Sequence, residues 1–331
     1  MAGARTVAVV GATGAVGQEM LRVLEQRDFP VGRLRPMASA RSAGSRLCFR
    51  GREFAVEALE GADFDGVDVA LFSIGAELAR EHGPRAAEAG AVVVDNSTAF
   101  RMEPDVPLVV PEVNGELLAS RPRIVANPNC CAVPLVVVLH ALRRAAALKR
   151  VIVTTFQSVS GTGKDAMDEL REQAGAWLEG RESPPRVYPR PIAFNCLPHV
   201  DAFQDNGYTR EEMKITAESR KMLGLPDLLL SATCVRVPVF RAHSESVTVE
   251  FERPVTPQQA LDALRSAAGV ELRGEPGAYP TPRDAEGGDL TLVGRVREDV
   301  SHPGGIALWL TCDNLRKGAA LNAIQIAERY L

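Results

Sequence analysis

The chain opens on Val7-Ala8-Val9-Val10, a short β-branched run that stops at the turn Gly11-Ala12-Thr13-Gly14-Ala15-Val16-Gly17. Apolar residues then recur at helical spacing, at Val16, Met20, Leu21, Val23 and Leu24, so the pattern predicts a strand, a turn and a helix. Further strands are predicted over 34–38, 68–72 and 91–94, with a helix over about 76–89. Ile124-Val125-Ala126 is another apolar run, and a longer one, over 132–142, has the length of a helix. Strands alternating with helices imply an α/β fold, a doubly wound parallel sheet of Rossmann type.

After this the character changes. A long β-branched strand is predicted over 149–160, ending in Gln157-Ser158-Val159-Ser160-Gly161-Thr162-Gly163, and a polar helix follows over 165–179. Residues 181–191 are rich in Pro and Arg and read as a loop, and 211–223 as a charged helix carrying Lys214. The stretches 231–240 and 244–252 alternate and read as neighbouring strands, with Arg241-Ala242-His243 at the join. A helix near 257–268 and strands near 290–296 and 306–311 complete a second, α+β domain. The last stretch, 314–331, reads as one amphipathic helix (Leu315, Ala319, Leu321, Ile324, Ala327) that returns to the nucleotide domain. The expected division is 1–129 plus 314–331 for a dinucleotide-binding domain and 130–313 for the second.

Length and composition narrow the class. The 331 residues, 46% of them hydrophobic, suffice for about two domains with real cores. A formal charge of −4 with both signs scattered, and no basic block, argues against nucleic acid or a membrane surface as partner. No apolar run approaches the ~18 residues of a membrane span. The chain passes from Met1 almost directly into a strand, so no leader is expected. Six cysteines (48, 130, 131, 196, 234 and 312) without CxxC spacing read as thiols of a cytoplasmic protein, not as disulfides or metal ligands.

Chemistry concentrates at Asn127-Pro128-Asn129-Cys130-Cys131. A strand, a tight Asn-Pro turn and a helix would hold Cys130 at or near a helix N-terminus, where unpartnered N–H groups stabilise a thiolate and can receive an oxyanion. The glycines of the first turn, Gly11 and Gly14 among them, let backbone approach a pyrophosphate, although GxxGxxG is looser than GxGxxG. After the second strand no acid stands ready for a ribose hydroxyl. Ser39, Arg41 and Ser42 offer hydroxyls and a cation to a 2′-phosphate instead, so NADP is preferred to NAD. Arg101, after the fourth strand, is either an anion clamp or a surface arginine paired with Glu103 or Asp105. Of five histidines, His82 and His140 fall in helical patterns, and His199 and His302 lie beside prolines. His243 lies at a strand break, where folding could bring it to Cys130 for nucleophilic acyl chemistry.

Asn127-Pro128-Asn129-Cys130, Phe156-Gln157-Ser158-Val159-Ser160-Gly161, Arg236-Val237-Pro238-Val239, His243-Ser244-Glu245-Ser246, the first glycine turn and Asp313-Asn314-Leu315-Arg316-Lys317-Gly318 occur in the order found in bacterial aspartate-β-semialdehyde dehydrogenases. Essentially the whole chain resembles that family. The resemblance implies a glyceraldehyde-phosphate-dehydrogenase-like catalytic and dimerisation domain, a homodimer, and NADPH-dependent reduction of aspartyl 4-phosphate with release of phosphate. This reaction lies on the route to lysine, threonine and methionine. By the same resemblance Cys130 is the nucleophile, with Asn129 beside it, His243 the acid/base, and Gln157 the residue that orients the substrate. Arg236 would grip the α-carboxylate, Glu211 the ammonium, and Arg101 and Lys214 the phosphate. Thr13, Ala15, Val16, Arg41, Ser42, Ser160, Gly161 and Asn314 would contact NADP. Cys131 stands where the family often has a small hydroxyl. The related N-acetyl-glutamyl-phosphate reductase, and a Rossmann-fold binding protein without catalysis, are the alternatives; Asn129 and Glu211 favour the aspartyl substrate, and the thiol, histidine and arginines favour catalysis.

Overall fold

The computed structural model describes residues 3–275 and 277–331. Met1 and Ala2, where the expected first domain begins, lie outside the described residues. Two compact units emerge, Met1–Pro128 with Ala319–Leu331, and Asn129–Gly318.

The first unit runs β1 (Arg5–Val10), α1 (Ala15–Gln26), β2 (Val31–Ala38), β3 (Arg46–Phe49), β4 (Arg52–Ala55), β5 (Glu57–Ala58), β6 (Val69–Phe72), α2 (Ala76–Glu88), β7 (Val92–Asp95), α3 (Pro111–Asn114) and β8 (Ile124–Ala126). Its sheet has the order β5-β2-β1-β6-β7-β8, every pair parallel. Strands covered on both faces need apolar residues at every position, and all of β6 and β7 and Val7–Val10 of β1 are buried. The strand order reverses at β1, and the glycine turn follows β1 at that switch point, where such sheets bind ligands. Gly11 has φ +88, and a Cβ there would lie 2.1 Å from the Ser73 carbonyl oxygen, so only glycine fits. The β3–β4 hairpin was not visible in the hydrophobic pattern. It turns on Arg50-Gly51, both at positive φ, where Asn-Gly or Asp-Gly is the commoner signal.

The second unit runs α4 (Ala132–Leu142), β9 (Leu148–Gln157), α5 (Lys164–Leu178), α6 (Arg210–Leu223), β10 (Leu229–Arg236), β11 (His243–Phe251), α7 (Pro257–Arg265), β12 (Val270–Arg273), α8 (Pro282–Ala285), β13 (Thr291–Glu298) and β14 (Ile306–Cys312). Its mixed sheet has the order β10-β9-β11-β14-β13-β12. This corrects one expectation: the stretches around β10 and β11 are not neighbours, because β9 lies between them, parallel to β10 and antiparallel to β11. After Arg236 the chain leaves the sheet and crosses the end of β9, where Val159 and Ser160 N–H donate to the carbonyls of Val239 and Phe240. Alternation along β9–β11 buries one face of the sheet and leaves the other half-exposed. Helix α4 is buried nearly all round, as a helix without a polar face must be.

The terminal segment also departs from expectation. A π-turn over Arg316–Ala320 precedes α9 (Leu321–Glu328), which belongs to the first unit. It is not simply amphipathic: Asn322 is fully buried and donates to the Val109 carbonyl and Asn127 Oδ1, and Lys317 is fully buried in the second unit.

Leu139 on α4 is completely buried. Leu139→Ala should lower the unfolding free energy by about 2–5 kcal/mol in urea titration; a loss below about 1 kcal/mol would contradict a close-packed α4.

Candidate active site: a thiol and an imidazole on one buried face

Cys130 stands two residues before α4, partly accessible, and Cys131 beside it is buried. His243, the first residue of β11, is 113 positions away in sequence, yet its Nε2 lies 3.3 Å from Cys130 Sγ. The backbone N–H of Ser158, just past β9, donates to His243 Nδ1 at 3.0 Å. A backbone N–H can only donate, so in the neutral ring Nδ1 is the acceptor and the proton rests on Nε2, facing the sulfur. Cys130, Cys131 and His243 are the one His/Cys/Asp/Glu cluster among the described residues whose donor atoms all lie within 4.8 Å.

The electrostatics single out one sulfur. A hydrogen bond from the Cys131 thiol, then the charges of His243 and Arg236, hold Cys130 well below the usual thiol range, against the opposing effect of burial. Burial, then the hydrogen bond to Cys130 and its charge, pushes Cys131 well above it, and burial also raises Cys234 and Cys312. Glu245, on the same strand two residues after His243, is fully buried with both oxygens unpartnered. Burial, then the charge on Cys130, pushes its carboxyl well above the usual carboxylate range.

The expected helix-terminus support for the thiolate takes a different form. Asn129 Oδ1 accepts from the amides of Cys131 and Ala132 at 2.9 and 3.2 Å, so those two donors at the entrance to α4 are engaged and do not serve an oxyanion. Asn129 is tied to α6 as well: its N–H donates to Glu218 at 2.6 Å and its Nδ2 to Glu211 at 2.8 Å. Gln157 Nε2 donates to the same Glu211 oxygen at 3.2 Å, and Lys214 Nζ lies 3.5 Å from the other, with Asp201 at 2.6 Å. Arg236, at the end of β10, is buried, and its Nη1 donates to the Ser158 carbonyl at 2.7 Å. Its Nε is a buried donor without a hydrogen-bond partner. A Cβ on Gly161 would lie 3.1 Å from Arg236 Nη1 and 3.2 Å from His243 Nε2, so the absence of a side chain there keeps both groups approachable.

Cys130, His243, Asn129, Gln157, Glu211, Lys214, Arg236, Ser160, Gly161 and Asn314 thus all belong to the second unit. Gly11, Thr13, Gly14, Ala15, Val16, Ser39, Arg41, Ser42 and Arg101 belong to the first. There, Gly14 caps α1, whose first-turn amides lack partners within the helix. Arg41 is exposed in a short 3-10 turn after β2, and Glu60 Oε1 comes within 3.4 Å of the Ala40 N–H, an acid the local sequence does not reveal. Arg101 is buried, its guanidinium donating to the carbonyls of Asn127 and Asn96. Three site neighbours went unrecognised in the sequence: Ser158, Glu218 and Gly318. Glu218 could have been found from its seven-residue spacing to Glu211 on one face of a predicted helix. Gly318, where a Cβ would lie 3.1 Å from the Cys130 Cβ, carries no local signal.

A thiol whose proton affinity is lowered stays anionic as the pH falls through the usual thiol range. In the folded protein, iodoacetamide at mildly acidic pH should therefore modify Cys130 faster than the more exposed Cys48 and Cys196, and leave Cys131, Cys234 and Cys312 unlabelled. Peptide mass mapping that finds Cys130 the slower would contradict the thiolate.

Residues 6–121 match the family described as semialdehyde dehydrogenase, NAD binding domain, and residues 139–317 match semialdehyde dehydrogenase, dimerisation domain. The aspartate-semialdehyde dehydrogenase of Aquifex aeolicus (strain VF5) is 48% identical over 97% of this chain and 96% of its own. That of Bacillus subtilis (strain 168) is 46% identical over 97% and 96%. The crystal structure of aspartate semialdehyde dehydrogenase II from Vibrio cholerae, complexed with ASA, matches with a TM-score of 0.96 at 48% identity, covering 98% of this chain and 97% of that one. The Candida albicans aspartate semialdehyde dehydrogenase with NADP matches at 0.76 and 25% identity, covering 98% of each.

Proposed function

Because this chain belongs to the aspartate-semialdehyde dehydrogenase family, we propose that it converts L-aspartyl 4-phosphate and NADPH to L-aspartate 4-semialdehyde, NADP and phosphate through an acyl-thioester on Cys130. The observation that carries this reading is the 3.3 Å approach of Cys130 Sγ to His243 Nε2. The thiolate attacks the acyl phosphate carbon, the S–C bond forms, and phosphate leaves with the electron pair of the C–O bond. NADPH, when bound, supplies the hydride that reduces the thioester. His243 Nε2 then moves a proton to and from the substrate oxygen, and the aldehyde departs as the sulfur regains its charge.

The remaining roles follow from charge and shape. The unpartnered Arg236 Nε suits a planar carboxylate, and Glu211, tethered by Asn129 and Gln157, suits the ammonium. An acid at this point favours an amino acid over an N-acetylated substrate. Arg101 and Lys214 are assigned to the phosphate. Gly11, Thr13, Gly14, Ala15 and Val16 are assigned to the pyrophosphate, and Ser39, Arg41 and Ser42 to the 2′-phosphate. Ser160, Gly161 and Asn314 are also assigned to the coenzyme. The Asn314 Oδ1 accepts from Ala242 N–H and lies within reach of the Ser158 and Ser160 hydroxyls, which leaves its Nδ2 for that contact. We further infer a cytoplasmic homodimer formed on the half-exposed face of the mixed sheet, where Ile152 and Leu229 are 39% and 56% exposed and Phe156 packs against Trp309. Among the described residues no helix is long and apolar enough to cross a membrane.

Phosphate-dependent NADP reduction with aspartate semialdehyde tests the reaction, with the glutamate semialdehyde as control. Cys130→Ser should abolish it, while Cys131→Ser keeps most of it; the reverse result would overturn the assignment. Arg236→Lys should lower kcat/KM by about 10²-fold, because an ammonium cannot grip a carboxylate in a planar fork. Sedimentation at micromolar concentration should show a dimer, and a monomer there would contradict the interface.

A further inference from the structure

Ser158, which has no part in the reaction described above, touches His243, Ser160, Asn314 and Arg236. It is fully buried beyond the end of β9. Its N–H donates to His243 Nδ1 at 3.0 Å, and its hydroxyl lies 3.0 Å from the same nitrogen. That hydroxyl also reaches Asn314 Oδ1 at 3.2 Å and Ser160 Oγ at 3.1 Å, while its carbonyl accepts from Arg236.

An imidazole that exchanges protons at Nε2 must be held in place in two forms, and its rear nitrogen needs a different partner in each. In the neutral ring Nδ1 carries a lone pair, and the Ser158 N–H serves it. When both nitrogens are protonated, Nδ1–H becomes a donor and that backbone N–H opposes it. The acceptor then within reach is the Ser158 hydroxyl oxygen, whose own hydrogen can turn to Asn314 Oδ1. We propose that Ser158 is a positioning residue for the acid/base step: its amide holds the neutral His243 and its hydroxyl holds the protonated one, so that the ring keeps Nε2 on the reacting atoms in both states. The hydroxyl only rotates, and Ser158 neither gains nor loses a proton.

The other titratable and charged groups around the ring are Cys130 and Cys131 before α4, Arg236 at the end of β10, Cys312 opposite it on β14 and Glu245 on its own strand. From β9 and the turn after it come the neutral groups of Gln157 and Ser158. None of these other groups is within hydrogen-bond distance of Nδ1 among the described residues, so the rear of the ring depends on Ser158.

This inference rests on the thiol–imidazole reading, and the test separates the two. Ser158→Ala keeps the amide and removes the hydroxyl. In the full-length protein it should lower kcat about tenfold, the scale of one hydrogen bond to a charged group, with KM for the semialdehyde changed less than about threefold. The limb of the kcat–pH profile that needs the protonated imidazole should move to lower pH, and ¹⁵N NMR of His243 should show that form appearing only at lower pH. Ser158→Thr, which keeps the hydroxyl, should keep the wild-type profile. Should Ser158→Ala lose its melting transition, Ser158→Cys, with a poor acceptor at the same place, makes the same comparison. A Ser158→Ala or Ser158→Cys profile that superimposes on wild type, or a Ser158→Thr profile shifted as far as that of Ser158→Ala, would overturn the role. Turnover surviving in His243→Asn would instead sink the underlying reading.

Discussion

One contact organises the second unit: a sulfur before α4 and a ring nitrogen at the start of β11, 3.3 Å apart. Neither group is useful alone. A thiol away from a base is mostly protonated at neutral pH, and an imidazole without a nucleophile has nothing to serve. The register of the mixed sheet builds the imidazole side of the pair. β9 lies between β10 and β11, so the turn after β9 passes beneath the His243 ring and brings Ser158 to Nδ1, while Arg236 arrives from the other side at the end of β10.

The same face carries an unusual number of buried acids, and each is handled differently. Glu211 and Glu218, on one side of α6, are satisfied by Asn129, and Glu211 also by Gln157 and Lys214. Glu212 closes a capping box with Thr209. The Glu245 oxygens have no hydrogen-bond partner, and burial, then the charge on Cys130, pushes the carboxyl well above the usual range. At Cys130 the hydrogen bond from Cys131 and the charges of His243 and Arg236 favour the anionic sulfur that a nucleophile needs.

Much of this was legible in the sequence, and the failures have physical causes. The covered runs Val7–Val10 of β1, Val69–Phe72 of β6 and Val92–Val94 of β7 announce themselves as unbroken apolar stretches, and the glycine turn after β1 is fixed by sterics that only glycine satisfies. Cys130 and His243 could be nominated from their turn contexts. Strand order could not: two alternating stretches joined by three residues look like a hairpin, and nothing local says that β9 inserts between them. The Arg50-Gly51 turn hid a hairpin because its first residue is not one that usually adopts positive φ. The end of the chain misled for a different reason. Lys317 and Asn322 look like a solvated helix face, but both are buried in tertiary hydrogen bonds or packing that a periodicity cannot express. Ser158 was in plain view within a recognisable motif, and only coordinates show that it stands behind the imidazole.

In the reaction proposed for this chain, Cys130 carries the acyl group. Mixing the protein with aspartyl 4-phosphate in the absence of any nicotinamide coenzyme isolates that step. Rapid quench should show a burst of about one phosphate per chain, and mass spectrometry should find the aspartyl group on the peptide containing Cys130. Phosphate released without an adduct, or an adduct on any other side chain, would contradict it.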